Sequence, residues 1–124
     1  MTAQIAHLYA TGCLALVFFQ VALIAGAPLG AWTQGGRVEG RLDPKGRVMA
    51  ALSIPILLFM ALAILSAAGF PGLGWPRWTG WAALAVSGLS CAVNWITPSR
   101  PERALWGPVT TVMVALALYV MAVG

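Results

Sequence analysis

Four stretches of this chain, residues 1–36, 48–76, 78–99 and 104–124, contain no Asp, Glu, Lys or Arg. They are 36, 29, 22 and 21 residues long. A bilayer core about 30 Å thick is crossed by about 20 apolar residues of helix, so each stretch accommodates one span and none holds two comfortably. A soluble domain carries about 25% charged residues, whereas this chain has 8% against 60% hydrophobic. A water-soluble globular protein is therefore excluded. The expected fold is all-α, a single four-span membrane domain over residues 1–124 with spans at about 5–26, 44–68, 78–97 and 100–124.

The punctuation between these blocks sets their ends. Pro28 and Gly30 close the first span, because neither continues a helix well. Asp43-Pro44 opens the second, with Asp capping free N–H groups and Pro at the first helical position. Pro98 disfavours helix in the residue before it and so ends the third by Thr97. Ser99-Arg100-Pro101-Glu102 has the pattern of a capping box, in which Ser99 and Glu102 satisfy each other's backbone donors at the start of the fourth. Pro55 and Pro108 lie inside spans and are expected to bend them. Ala25-Gly26-Ala27 imitates a signal-peptidase site, but no Lys or Arg precedes it and Pro28 follows it, so span one is expected to be retained.

Orientation follows from the basic residues, which cytoplasmic loops hold in excess. Arg37, Arg41, Lys45, Arg47, Arg100 and Arg103 fall in the loops after spans one and three, and only Arg77 follows span two. Both termini are therefore expected outside (N-out/C-out), with the long Gly-rich loop between helices 1 and 2 in the cytoplasm. The expected location is the bacterial cytoplasmic (inner) membrane, as a multi-pass protein. Trp75, Trp78 and Trp81 at one boundary and Trp32, Trp95 and Trp106 at the other fit two aromatic belts.

Polar side chains inside a bilayer are costly unless partnered, so their positions point to function. Gln20, Ser53, Asn94 and Thr110 all fall in the half of the spans nearest the basic loops, where they are expected to share a cytoplasm-facing groove. Ser87, Ser90, Cys91 and Asn94 follow helical spacing and share one face. The opposite half offers mainly Gln4, His7 and Thr11 on one helix, with Ser66 from another. The plainer reading of Asn94 and Gln20 is helix-to-helix hydrogen bonding. For His7 it is an interfacial hydrogen bond.

Residues 27–42 contain four glycines and no periodicity, and loops of that kind are usually functional or disordered. Gly35-Gly36 exposes backbone N–H groups and Arg37, Arg41, Lys45 and Arg47 follow, an arrangement suited to a phosphate or anionic headgroup. The positive-inside bias alone also explains those charges. The candidate ligand-binding residues are thus Gln20, Gly35, Gly36, Arg37, Ser53, Asn94, Arg100, Arg103 and Thr110.

Gly26-Ala27-Pro28-Leu29-Gly30 with Gly35-Gly36, and Asn94 followed by Thr97-Pro98-Ser99-Arg100-Pro101-Glu102-Arg103 and Trp106-Gly107-Pro108, carry a resemblance across nearly the whole chain. They resemble a group of small four-span bacterial membrane proteins with a G-x-P-x-G and W-G-G loop before span two. In that group an N-x-x-S-x-S-x-x-E-R-x-x-W-x-P stretch links spans three and four. Here Trp32-Thr33-Gln34 precedes the glycine pair and Thr97 stands where Ser is common. The resemblance implies a four-span fold and names no reaction.

Several functions are set aside. Proton-coupled small multidrug transporters need a carboxylate within a span, and Glu39, Asp43 and Glu102 are all in loops. Dual-topology fluoride channels carry a central Phe, Ser and Thr segment missing here, and the six-to-one basic bias favours one orientation. No catalytic set, metal cluster or cofactor motif is present; Cys13 and Cys91 read as small apolar residues. No enzyme activity and no cofactor are expected. The pI of 9.8 comes from membrane loops, so no nucleic acid is expected as a partner. Two readings remain. One is an interaction or accessory protein whose groove binds a lipid headgroup or small amphiphile, with membrane lipids, a homo-oligomer or a larger membrane complex as partners. The other is a small uncoupled transporter or channel acting as an oligomer.

Overall fold

The computed structural model describes residues 1–124 and contains four α-helices and no strand. They are α1 (Thr2–Ile24), α2 (Pro44–Ala67), α3 (Arg77–Ile96) and α4 (Arg100–Val123). All four are long and apolar enough to cross a membrane, the mark of a multi-pass membrane protein. They run alternately up and down, with α1 and α3 each packed between α2 and α4. The basic end holds loop one (residues 25–43) and the α3–α4 turn. The terminal end holds both chain termini and the α2–α3 loop.

Helix ends follow local chemistry. Gly26 (φ +101) closes α1 in a Schellman arrangement, its N–H donating to the Leu23 carbonyl and that of Ala27 to the Ala22 carbonyl. The Asp43 carboxylate accepts from the Gly46 N–H at 2.8 Å, and Pro44 occupies the first turn of α2. Thr97 is extended (ψ 143) before Pro98 and ends α3. The helices continue through Pro55 and Pro108, with Ser53 donating to the Met49 carbonyl and Thr111 to the Gly107 carbonyl.

Only half of the expected capping box forms. Ser99 Oγ accepts from the Glu102 N–H at 3.3 Å, but the Glu102 carboxylate does not return to Ser99, whose N–H instead donates to Thr97 Oγ1. Glu102 turns to loop one.

The dense core lies towards the terminal end, where Ala6, Tyr9, Ala10 and Cys13 of α1 meet Met60, Ala63 and Ile64 of α2, Ala83 of α3 and Met113, Ala117 and Val120 of α4. Small residues let the helices close up there. Tyr9 is fully buried and its hydroxyl is hydrogen-bonded to Ser87 Oγ at 2.5 Å, joining α1 to α3. Arg77 donates to the Met121 carbonyl at 2.7 Å, placing its charge at the negative end of α4. Gln4, His7 and Thr11 face outward, and the His7 ring pairs with the Ala3 carbonyl of its own helix.

A candidate amphiphile cleft at the basic end

Towards the basic end the helices part around a cleft of about 860 Å³, within the 300–1,000 Å³ range of small-molecule sites. Each helix contributes one face. Leu16, Phe19 and Gln20 come from α1, and Lys45, Met49, Ser53, Ile56, Leu57 and Met60 from α2. From α3 come Val86, Ser87, Ser90, Val93 and Asn94, and from α4 Glu102, Trp106, Thr110 and Met113. Along α2 the lining runs from Lys45 to Met60, about 22 Å at 1.5 Å per residue. Ile56 on α2 and Val86 and Val93 on α3 line the cleft while remaining exposed, so it opens sideways between these two helices.

The cleft is polar at one end and apolar at the other. Thr33, Gln34, Gly35 and Arg37 of loop one, with Lys45, Asn94, Thr97 and Glu102, surround the basic end. Leu57, Met60 and Met113 close the deep end against the core.

Loop one is held in place by α4. Ser99 Oγ donates to the Ala31 carbonyl at 2.5 Å, Trp106 Nε1 donates to the Trp32 carbonyl at 2.8 Å, and the Gly35 N–H donates to the Glu102 carboxylate at 3.3 Å. Trp106 also packs edge-on against Phe19 of α1, with ring centroids 4.8 Å apart. Gln34 (φ 50), Gly35 (φ 73) and Gly36 (φ 68) are consecutive left-handed residues. At Gly36 this conformation coincides with close approach, since an added Cβ would lie 2.9 Å from Ser99 Cβ.

Six of the nine sequence-derived candidates line this one cleft: Gln20, Gly35, Arg37, Ser53, Asn94 and Thr110. The other three lie beside it. Gly36 packs on the α3–α4 turn, Arg103 donates to the Thr97 carbonyl at 2.8 Å and so caps α3, and Arg100 is exposed at the start of α4. Asn94 donates to the Ser90 carbonyl of its own helix at 2.7 Å, and Thr110 donates to the Trp106 carbonyl at 2.5 Å. Neither hydrogen bond crosses to another helix. The Gly35 N–H, read from the sequence as an anion donor, is engaged by the chain's own Glu102.

Glu102 and Lys45 were absent from the candidates. Glu102 is only 5% exposed yet lines the cleft, so a carboxylate does reach the cavity from the first turn of α4. The capping-box pattern concealed this, because it assigned Glu102 a purely local partner. Arg37 and Asp43 form the chain's one ion pair, through two bonds of 2.9 and 3.0 Å. This pairing, with the Gly46 N–H, lowers the Asp43 pKa to about 2, and the same bond raises that of Arg37.

The Arg37–Asp43 pair makes stability depend on pH through the depressed Asp43 pKa. Its contribution is fully present above the unfolded carboxyl pKa of about 3.9 and is lost as pH falls towards 2. Thermal unfolding in detergent at pH 5 and pH 2.5 should show a loss in the parent chain that Asp43→Asn reduces. An equal loss in both would contradict this assignment. No protein-family model, curated protein or solved structure matches this chain.

Proposed function

We propose that this chain is an accessory protein of the bacterial cytoplasmic membrane that binds one lipid or small amphiphile in the cleft, headgroup towards loop one. One observation carries the reading: the 860 Å³ cleft is polar at the basic end, apolar at the deep end and open sideways between two spans. Each methylene buried against the deep wall contributes about 0.8 kcal/mol relative to water. An amphiphile already in the bilayer enters laterally without that gain. Its affinity therefore rests on shape, van der Waals contact and the polar groups at the head. Beyond Met60 and Met113 the core is mainly apolar and the Tyr9 and Ser87 hydroxyls are bonded to each other, which favours a binding protein over the alternative, a channel or carrier working as an oligomer.

Native mass spectrometry of the purified chain tests this. One tightly held lipid per chain is expected, and Ser53→Trp should remove it by filling the cleft. Ser53 bonds only to its own helix, so the substitution breaks no contact between helices. Unchanged lipid retention in Ser53→Trp, or solute flux in liposomes abolished by Asn94→Leu, would overturn the reading.

The cytoplasmic placement of the basic end belongs to the same proposal and rests on the six-to-one basic bias. A C-terminal alkaline phosphatase fusion should be active and a C-terminal green fluorescent protein fusion dark. The reverse pair would place loop one outside.

A further inference from the structure

Three charged side chains line the polar end of the cleft, and one of them, Arg37, is neutralised by Asp43 beside it. Arg37 is tied to Asp43 by two hydrogen bonds, and Asp43 is further engaged in capping α2. Lys45 and Glu102 line the same cleft, and neither has an ion-pair partner. The Glu102 carboxylate is buried and receives one N–H, from Gly35, shared at 3.3 Å between its two oxygens. The nearby arginines do not compensate it: Arg103 is spent on the Thr97 carbonyl and Arg100 is exposed. The N-terminal end of α4 favours the negative charge of Glu102, but a buried carboxylate with one shared N–H and no ion-pair partner still gains from an added cationic donor. Lys45, exposed at the mouth, offers a cation at the start of α2.

We infer that the cleft selects a zwitterionic amphiphile carrying a phosphate and a primary ammonium, with Glu102 accepting from the ammonium and Lys45 meeting the phosphate. This rests on the reading of the cleft as an amphiphile site and adds the chemistry of the headgroup. The two unpaired charges are complementary to that headgroup. An anionic glycerol headgroup supplies a phosphate for Lys45 but only neutral hydroxyl donors for Glu102, with no positive charge to offset the carboxylate. A choline headgroup keeps the positive charge but has no N–H to donate.

The test is competition by native mass spectrometry. The full-length chain is offered phosphatidylethanolamine, phosphatidylglycerol and phosphatidylcholine of identical acyl chains. Retention of phosphatidylethanolamine roughly tenfold above the other two is expected, the scale of one charge-assisted hydrogen bond. Glu102→Gln keeps an acceptor for the Gly35 N–H and should lower phosphatidylethanolamine retention to the level of the other two phospholipids. Lys45→Gln should weaken retention of all three phospholipids together. Equal retention of phosphatidylglycerol or phosphatidylcholine by the parent chain overturns the headgroup assignment. If Ser53→Trp still removes the lipid in that case, the cleft reading stands alone. Retention of none of the three overturns both. The choline comparison requires no substitution, so it remains decisive even if Glu102→Gln folds poorly.

Discussion

Tyr9→Ala is expected to destabilise the bundle by about 3–5 kcal/mol, the range for emptying a fully buried aromatic site. Tyr9 is completely buried among Ala6, Ala10, Cys13 and Ile64, and these small neighbours leave the gap difficult to close. Its hydroxyl accounts for the smaller part of the effect. Hydrogen bonds between membrane helices contribute about 0.6 kcal/mol on average, so Tyr9→Phe, which keeps the ring and leaves Ser87 Oγ to solvate itself locally, should cost about 1 kcal/mol or less. Denaturant unfolding in micelles, read by helix content, separates the two variants. Equal losses would mean that the Tyr9–Ser87 bond, and not packing, holds α1 to α3.

Gly30→Ala is expected to be the most damaging single methyl in loop one. An added Cβ at this buried position would meet the Val38 carbonyl oxygen and lie 2.7 Å from that of Gly40, and both are backbone atoms that cannot rotate away. The Gly30 N–H also donates to the Gly40 carbonyl at 2.7 Å, closing the loop on itself. Overpacking and the strained hydrogen bond together cost about 2–4 kcal/mol. Loop one should then leave α4, and the Gly35 N–H should part from Glu102. Gly40→Ala provides the contrast. It has φ +73 but open space around it, so only conformational strain of about 1–2 kcal/mol is expected. Hydrogen exchange at residues 31–37 should rise sharply in Gly30→Ala and little in Gly40→Ala. Similar protection in both would contradict the steric argument.

The spans were legible because charge placement and proline punctuation are local signals. The charge-free blocks, Asp43-Pro44 and Thr97-Pro98 locate the helix ends within a few residues. The convergence of Gln20, Ser53, Asn94 and Thr110 on one cavity was also legible, since depth along each span is a matter of counting residues from the boundary. Partners distant in the chain were not. Glu102 has a conventional partner three residues away in its capping box, and nothing local indicates that Gly35, 67 positions earlier, takes its carboxylate. Loop one has no periodicity from which the Gly30–Gly40 bond or its attachment to α4 could be read. Ala6, Tyr9, Ala10 and Cys13, at i, i+3, i+4 and i+7, do mark the buried face of α1 in the sequence, but nothing local indicates that the Tyr9 hydroxyl pairs with Ser87. The backbone of Ala31, Trp32 and Gly35 in loop one lies against Ser99, Glu102 and Trp106 of the α3–α4 turn and α4, contacts 67 to 74 positions apart in the chain.

The two ends of the bundle thus divide the work. Alanines and an interhelical Tyr–Ser bond close the terminal end, and a loop fastened to α4 keeps the basic end apart around the cleft. The proposed occupant lies with its head among Lys45, Asn94 and Glu102 and its chain along Leu57 and Met60. A phospholipid with a diazirine midway along one acyl chain, photolysed with the chain in nanodiscs, tests that placement most directly. Crosslinks mapped by peptide mass spectrometry should concentrate on Leu57, Met60 and Met113 and disappear in Ser53→Trp. Labelling confined to outward residues such as Leu52, Leu62 and Leu89, unchanged by Ser53→Trp, would contradict the account.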